Sequence, residues 1–435
     1  MLKPKAPGGI RQAYGMEPYF ADEHAVVVVM ACSDAYVPYC SVAIHSVIRH
    51  ASRERKYDII LFSCQVTKRH QWMLQKMAEP FFNISIRFAE VGPYISSCGL
   101  YTRDYYHPVI YARLCMPDLM KGYKKAVYLD ADLVVLCDIA QLFDQELNGS
   151  LLAGVRDAGM LAWYGTQEHI EQVYIDTYLR LKNPYAYINT GVLLLQLEEI
   201  RKQYSARSLM EYAASRRWRW QDQDIIMTLF EGKIQLLDAA WNVLAGTKQE
   251  RDQIACRLPE TLAKEYRQAY RHPRILHFAG NRFLHLQQET DEEAVFWMYA
   301  KESPFYEIIL KRAMAKCCED GYKRKREDVL QQGRRLLHLP FRILFDGIFP
   351  KGCACRKKLV EQYYMHRYFR SSMKEKHRPW TNEKNKGVLP ALSKPDTGRD
   401  FRGCIPMLFL MGGGCVRTRI MGFPGMKRYS GSMGL

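Results

Sequence analysis

Two aspartates, Asp130 and Asp132, follow the apolar segment Ala-Val-Tyr-Leu of residues 126–129. Side chains two positions apart on an extended chain point to the same side, so the two carboxylates would lie together at the end of a buried strand. A carboxylate pair in such a place is costly unless a cation neutralises it. The Asp-x-Asp spacing also occurs in helix caps and loops, but its place at the end of an apolar strand favours a divalent metal site.

A histidine at the end of another predicted strand is a candidate third ligand. His277 stands in the segment Leu-His-Phe-Ala-Gly, and Gly280 at its end would let the backbone approach a phosphate. An imidazole with two carboxylates suits Mn²⁺. A lone histidine after an apolar strand is more often structural, but this position beside a flexible glycine favours a ligand.

A third polar cluster, Asp222-Gln223-Asp224, stands immediately before the apolar Ile-Ile-Met of residues 225–227. Acidic residues are common at the cap and in the first turn of a helix, where they interact favourably with its dipole. The pattern alone is therefore compatible with an ordinary helix N-terminus as well as with a functional site.

Strands and helices alternate along the chain, as in an open α/β sheet. Hydrophobic patterns predict strands at 26–30, 58–62, 84–88, 125–132, 187–195 and 274–278, and helices at 40–48, 72–77 and 206–214. Ligands of such sheets bind at the carboxyl ends of the strands. That rule makes residues 31–36, after the first strand, a candidate nucleotide site.

Six segments taken together resemble glycosyltransferase family 8, the retaining enzymes that include bacterial lipopolysaccharide glucosyl- and galactosyltransferases. In chain order they are residues 30–36, 111–114, 128–132, 187–192, 222–224 and 277–280, and the resemblance covers roughly residues 25–290. It implies an α/β fold of the GT-A type, a Rossmann-like mixed sheet that binds a nucleotide-sugar and is flanked by helices.

The resemblance also implies roles for individual residues. Asp130, Asp132 and His277 would bind Mn²⁺ or Mg²⁺, and Gln223 and Asp222 would be the catalytic residues. Tyr36 would stack on the uracil of the donor. The full set of residues expected to contact the donor is Ala31, Ser33, Asp34, Tyr36, Arg113, Asp130, Ala131, Asn189, Asp222, Gly280 and Arg282.

The chain departs from the family pattern at two places. The family usually has a lysine three residues after its His-Phe-x-Gly motif, and this chain has Arg282 one position early. A guanidinium also binds phosphate oxygens, so Arg282 is expected to replace that lysine with a different geometry. In the nucleotide loop, the acidic residue that the family often has at the position of Ser33 is absent.

The implied reaction transfers glucose or galactose from UDP-glucose or UDP-galactose to a saccharide acceptor, in lipopolysaccharide core or another cell-surface glycan. A covalent intermediate would need a carboxylate nucleophile. The residue expected at that place is Gln223, an amide, so front-face substitution is favoured. The alternatives are a catalytically weak nucleotide-sugar-binding relative, or another GT-A transferase that inverts configuration or transfers a nucleotidyl group.

The basic charge of the chain lies almost entirely after residue 310. Residues 311–435 contain 28 Lys and Arg against 10 Asp and Glu, whereas residues 1–310 contain 35 against 36. Apolar residues at 337, 341, 344, 345 and 348 share one helical face among these cations, a pattern typical of membrane interfaces. The alternative is a helix that packs on the catalytic body with a solvated basic side.

These observations predict four regions: an N-terminal leader at 1–24, a GT-A catalytic domain at 25–310, a basic, partly helical membrane-associating extension at 311–385, and a loosely ordered tail at 386–435. The composition, 48% hydrophobic and 25% charged, excludes a fibrous or disordered chain. We find no apolar run of about 18 residues and no signal peptide in the sequence.

The expected location is therefore cytoplasmic and peripheral, on the inner face of the plasma membrane. The expected partners are the nucleotide-sugar donor, a saccharide or lipid-linked glycan acceptor, and an anionic membrane surface. No nucleic-acid partner is expected, because the near-neutral body has no aromatic RNA-reading motif.

Overall fold

A seven-stranded mixed sheet forms the centre of the fold. The structure, a computed structural model, describes residues 16–102, 107–166, 169–280 and 290–318. The strands of this part of the chain are β1 (Val26–Ser33), β2 (Tyr57–Cys64), β3 (Ile84–Glu90), β4 (Ala126–Leu129), β5 (Leu133–Val135), β6 (Leu152–Arg156), β7 (Ile188–Leu195), β8 (Ile234–Leu236), β9 (Val243–Leu244) and β10 (Ile275–His277).

Helices flank this sheet and connect its strands. They are α1 (Val37–His50), α2 (Lys68–Ala78), α3 (Gly92–Ser97), α4 (Ala112–Leu119), α5 (Ala140–Phe143), α6 (Ala158–Tyr164), α7 (Ile170–Tyr174), α8 (Leu197–Gln203), α9 (Ala206–Ala214), α10 (Asp222–Leu229), α11 (Lys248–Ala255), α12 (Glu260–Arg271) and α13 (Asp291–Ala300). The predicted helices are confirmed as α1, α2 and α9. Pro38 lies in the first turn of α1, where its missing N–H leaves no helical hydrogen bond unmade.

The order of strands in the large sheet is β3-β2-β1-β4-β7-β6-β8. The first four of these run parallel, as expected for strands connected through helices, and β7 runs antiparallel to both β4 and β6. Strand β1 is buried along almost its whole length, which explains its run of valines. The predicted mixed α/β architecture is confirmed.

A smaller sheet of order β5-β10-β9 brings distant parts of the chain together. Strand β5 begins directly after Asp132, and it pairs antiparallel with β10, so that His277 lies opposite Leu133. The backbone N–H of Phe278 donates to the carbonyl of Asp132 at 2.8 Å. Strand pairing thus brings Asp132 and His277 together, although they are 145 residues apart in the sequence.

The strand predicted at 125–132 differs from the structure in one respect. Strand β4 ends at Leu129, and the chain bends at Ala131 and Asp132 before β5 begins. The cause is visible in the hydrogen bonds: the N–H of Asp130 donates to the carbonyl of Gly191 at 2.8 Å, and Asp132 already pairs with the second sheet. The two aspartates therefore lie at the junction of two sheets rather than on one extended strand.

Strand β7 carries an irregularity next to this junction. Leu193 pairs with Gly154 of β6, but Asn189 pairs with Val155, so three residues of β7, 190–192, are extra on that side of the sheet. A bulge of this kind bends a strand and redirects its side chains. Its position places residues 189–191 beside Asp130.

The basic extension predicted at 311–385 lies outside the described residues beyond residue 318, as does the whole tail predicted at 386–435. Residues 306–318 are helical, so the predicted boundary at 310 falls within a helix, and its use as a domain limit stays a prediction. Within the described ranges, none of the helices has the length and apolar character needed to cross a bilayer.

Candidate active site

Asp130, Asp132 and His277 converge where β4, β5 and β10 meet. The His277 Nε2 atom lies 3.2 Å from Asp132 Oδ1 and 3.8 Å from Asp130 Oδ2. One possible ligand atom from each residue lies within 4.8 Å of the others. Two carboxylates and one imidazole at this spacing fit a single divalent cation such as Mn²⁺ or Mg²⁺.

The acid–base state of this cluster is set by burial and by the mutual attraction of its members. Burial alone would lower the pKa of His277, but its hydrogen bond with Asp132 and the nearby charges of Asp132 and Asp130 raise it. Burial would raise the pKa of Asp132, and the same hydrogen bond with His277 lowers it. A neutral imidazole is the form of histidine that binds a metal, so a cation held by these three residues would bind at an unprotonated His277 Nε2.

Gly191 lets the histidine lie close to the backbone of β7. A Cβ atom at this position would lie 2.3 Å from His277 Cε1 and 2.9 Å from Asp130 Oδ2. Real Cβ atoms do not approach other atoms so closely, so any larger side chain would displace two candidate metal ligands together. This glycine is thus required by close packing against the candidate metal ligands His277 and Asp130.

Arg113, on α4, joins the candidate metal ligands to the Asp222 segment. Its side chain is 3% exposed, and its guanidinium donates to Asp130 Oδ1 at 2.8 Å and pairs with Asp222 Oδ2 at 3.1 Å. It also lies over the ring of Tyr128, 4.3 Å from the ring centre. Burial would lower the pKa of this guanidinium, but Asp130 and Asp222 raise it. Arg113 is therefore a fixed cation between two carboxylates.

The Asp-Gln-Asp segment begins α10, so its interpretation as a helix N-terminus is confirmed, and it also faces the cluster. Thr190 Oγ1 donates to Asp222 Oδ2 at 2.7 Å, and burial raises the pKa of Asp222. Gln223 Nε2 donates to Asp157 Oδ2 at 3.1 Å. The preceding residue, Gln221, has φ +50°, an uncommon backbone conformation that costs energy and is often found at functional sites.

The third residue of this segment, Asp224, points away from the cluster into the core. Its carboxylate accepts hydrogen bonds from Tyr187 Oη at 2.6 Å, from Tyr174 Oη at 2.7 Å and from the N–H of Trp220 at 2.7 Å. Burial raises the pKa of Asp224 to about 6, and these hydrogen bonds partly oppose the effect. Asp224 therefore supports the turn that presents Asp222 and Gln223.

Two residues that sequence reasoning missed, Asp157 and Asn242, complete a hydrogen-bonded network behind the cluster. Asn189 Nδ2 donates to Asp157 Oδ2 at 3.2 Å, and Asn242 Nδ2 donates to Asn189 Oδ1 at 2.9 Å. Asn242 Oδ1 in turn lies 3.0 Å from His277 Nδ1. Asp157 directly follows β6, so the strand-end rule could have found it, whereas Asn242 ends the 3₁₀ turn Ala239–Asn242 and has no such signal.

The predicted nucleotide loop lies next to the cluster, at the end of β1. Ala31 and Ser33 belong to the strand, and the hydroxyl of Tyr36 donates to Asp132 Oδ2 at 3.2 Å. Asp34 is turned toward α2: its Oδ1 accepts from the N–H of Thr67 at 2.8 Å and lies 2.8 Å from His70 Nδ1. The side chain expected to contact the donor is thus already engaged in holding α2.

The remaining predicted donor contacts lie around the cluster or outside the described residues. Ala131 is buried at the bend between the two aspartates, and Gly280 follows β10 with φ +77°, a conformation that favours glycine. Arg282 lies outside the described residues, so its replacement of the family lysine stays a prediction.

Comparison with known proteins identifies what this architecture is similar to. Residues 27–282 match the family model described as Glycosyl transferase family 8. General stress protein A of Bacillus subtilis (strain 168) is 23% identical over 269 residues, which are 58% of this chain and 85% of that protein. Glycosyltransferase GlyA of Streptococcus pneumoniae serotype 4 is 27% identical over 279 residues, 62% of this chain and 34% of that protein.

Two solved structures share the fold. The apo structure of the bifunctional glycosyltransferase WbbM has a TM-score of 0.61 and 26% identity, over 69% of this chain and 53% of that chain. The galactosyltransferase LgtC, in complex with donor and acceptor sugar analogues, has a TM-score of 0.53 and 21% identity, over 64% of this chain and 96% of that chain. These likenesses confirm the predicted GT-A fold.

Proposed function

The chain belongs to glycosyl transferase family 8, as its sequence resemblance predicted, and we propose that it transfers glucose or galactose from a UDP-sugar to a saccharide acceptor. Family membership makes it a glycosyltransferase that uses a nucleotide-sugar donor and a glycan acceptor. The hexose donor, the retention of anomeric configuration and the metal dependence are the proposed part.

The observation that carries this proposal is the convergence of Asp130, Asp132 and His277 beside Arg113 and Asp222. A divalent cation held by the first three would stabilise the negative charge that develops on UDP as the glycosidic bond breaks. Arg113 is held by two carboxylates and by the ring of Tyr128, so its charge is oriented before the donor arrives. Fixed charges of this kind stabilise a transition state without reorganising during the reaction.

Gln223 is proposed to stabilise positive charge on the sugar. Its Nε2 donates to Asp157, which turns the amide oxygen Oε1 away from that carboxylate. An amide oxygen is a poor nucleophile, so a covalent sugar intermediate on this residue is not expected. In front-face substitution, the acceptor oxygen bonds to the anomeric carbon on the face that UDP leaves, and the acceptor proton passes to the departing phosphate oxygen.

The acceptor in this proposal is a lipopolysaccharide core or another cell-surface glycan carried on a lipid. Its support is the sequence after residue 310, where 28 basic residues stand against 10 acidic ones. Each basic side chain near an anionic leaflet contributes on the order of 1 kcal/mol, so several together hold a protein at a membrane reversibly. The body would then act on acceptors presented at that surface.

A donor screen tests the proposal. UDP release from a panel of UDP-sugars would be measured with Mn²⁺, with Mg²⁺ and with a chelator, and NMR of the sugar product would assign its anomeric configuration. We expect release from UDP-glucose or UDP-galactose that is lost with the chelator and in Asp132→Asn, and kept in the surface variant Asp144→Asn. If calorimetry detects binding of the UDP-sugar but no UDP is released, the alternative that this chain is a catalytically weak nucleotide-sugar-binding protein is favoured instead.

A further inference from the structure

A line of side-chain amides connects the metal cluster with the residues proposed to face the sugar. It runs from Asp157 through Asn189 and Asn242 to His277, with hydrogen-bond distances of 3.2, 2.9 and 3.0 Å. Asn242 is only 6% exposed and His277 only 3% exposed, so water competes little for the bond between them. Buried hydrogen bonds of this kind hold the orientation of their members.

The donor and acceptor of every hydrogen bond in this line follow from two groups whose roles are known, the N–H of Gly191 and the carboxylate of Asp157. The N–H of Gly191 can only donate, and it donates to Asn189 Oδ1 at 2.9 Å. Asp157 Oδ2 accepts from the amide nitrogen of Asn189 and from that of Gln223, so the nitrogen of Asn189 faces Asp157. The oxygen of Asn189 therefore faces Asn242, and the side-chain nitrogen of Asn242 donates to it.

The consequence reaches the histidine ring. With its nitrogen committed to Asn189, Asn242 turns its oxygen Oδ1 toward His277 Nδ1. An oxygen at this place accepts a hydrogen bond, so Nδ1 is the ring nitrogen that carries a proton. The lone pair for a cation is then on Nε2, the atom that faces both aspartates.

We propose that Asn242 is a positioning residue for the metal site, which selects the Nδ1-protonated form of His277 and fixes the plane of its ring. The inference rests on the proposed function, since it assumes that the cluster binds a cation. The outer partner of a metal-binding histidine usually fixes its tautomer and orientation, and its loss typically weakens metal binding 10–100-fold.

The surrounding backbone supports a role for the side chain itself. Residues 243–244, directly after Asn242, form β9, which pairs in parallel with β10, and the N–H of Ala245 donates to the carbonyl of His277 at 2.8 Å. The strand that carries the histidine is thus held by backbone bonds that do not involve the Asn242 amide. Removing this amide should release the ring while leaving β9 and β10 paired.

The test measures Mn²⁺ binding without any donor, by titrating the protein and following the electron paramagnetic resonance of the free ion. Asn242→Leu removes the amide at similar volume, whereas Asn242→Asp keeps an oxygen acceptor for the Nδ1 proton. Asn83→Leu is the matched control, since Asn83 is an equally buried asparagine that donates to the carbonyls of Ser52 and Arg55 far from the cluster. Thermal unfolding reports whether each variant is folded.

We expect the dissociation constant for Mn²⁺ to rise by about 10–100-fold in Asn242→Leu and to stay unchanged in Asn83→Leu. Asn242→Asp should keep most of the affinity, because a carboxylate accepts the same proton. A folded Asn242→Leu protein with wild-type affinity would overturn the inference, as would a loss in Asn242→Asp as large as in Asn242→Leu.

Three further outcomes complete the test and separate this inference from the proposed function. If Asn242→Leu does not fold, Asn242→Asp decides alone, with retained binding in favour and lost binding against. If the wild-type protein itself does not bind Mn²⁺, the metal site and the proposed metal dependence fail together with the inference. If the wild type binds and both variants bind equally well, only the positioning role of Asn242 fails.

Discussion

Replacing Gly191 by alanine adds a single methyl group at the most crowded point of the metal cluster. The new Cβ would lie 2.3 Å from His277 Cε1, 2.8 Å from His277 Nδ1 and 2.9 Å from Asp130 Oδ2. Carbon atoms in contact are normally about 3.5–4.0 Å apart, so the ring must move by more than about 1 Å. His277 is buried and its Nδ1 is hydrogen-bonded to Asn242, which leaves the ring little room to retreat.

We expect Gly191→Ala to lower the affinity for Mn²⁺ strongly and the stability of the fold only moderately. Metal–ligand distances tolerate deviations of only about 0.2 Å, so a shift of about 1 Å removes the histidine from the ligand set. Overpacking a core position typically costs about 1–3 kcal/mol of stability, which a domain of this size can survive. We therefore expect a folded Gly191→Ala protein with Mn²⁺ affinity reduced roughly a hundredfold or more, the order expected when a metal-site interaction is lost.

The assay combines Mn²⁺ titration with thermal unfolding and UDP release. Gly154→Ala, on the neighbouring strand β6, is the matched control because its Cβ would meet the flexible ends of Ile188 and Leu193, at 2.6 and 3.2 Å. That variant should lose stability but keep Mn²⁺ binding. A folded Gly191→Ala protein with wild-type Mn²⁺ affinity would refute the reasoning, because the ring would then have room that the structure denies.

Four further predictions concern other parts of the molecule. Asp130→Asn should abolish UDP release because it removes an anionic ligand, and circular dichroism should show that the variant is still folded. Gln223→Ala should slow turnover but leave measurable activity, and mass spectrometry of the wild type should find no glycosyl adduct on Gln223, Asp222 or Asp224. The folded-state pKa of Asp224, about 6, lies above its unfolded value of 3.8, so its contribution to stability is complete below about pH 4 and is lost as pH rises through 6. Denaturant unfolding at pH 4 and pH 7 measures this loss. Between the two pH values, the free energy of unfolding should fall by on the order of 3 kcal/mol more in the wild type than in Asp224→Asn. An equal fall in both proteins would contradict the prediction. Truncation after residue 320 should preserve Mn²⁺-dependent UDP release and abolish salt-sensitive sedimentation with anionic vesicles.

The sequence predicted the elements of the site well wherever a strand carries the functional residue to its end. Asp130 directly follows the apolar run that forms β4, Asp132 lies two residues further on, and His277 is the last residue of the apolar run that forms β10. The rule that ligands bind at the carboxyl ends of strands also predicts a nucleotide site after β1, and that site stays a prediction. Hydrophobic pattern is a local property, so it identifies such strands without knowledge of their partners.

The remaining features depend on long-range geometry that no local pattern records. Asn242 gains its role only because β9 pairs with β10 and brings it to the ring of His277. The bend between Asp130 and Asp132 arises because the two residues bond to different sheets, which the predicted continuous strand could not show. Asp34 lies in the loop after β1, but its partners are Thr67, the N-cap of α2, and His70 in the first turn of that helix.

The segment Asn-Thr-Gly at 189–191 shows how one irregular strand can organise both halves of the site. Asn189 holds Asp157 and Asn242, Thr190 donates to Asp222 and accepts from Arg113 through its carbonyl, and Gly191 bonds to Asp130 and leaves space for His277. A regular strand would direct Asn189 and Gly191 to the same face with even spacing. The bulge opposite Gly154 and Val155 interrupts the regular pairing with β6, so residues 189–191 need not follow that even spacing. Because the candidate metal ligands and Asp222 share this segment, substitutions in the two groups should influence each other rather than act independently.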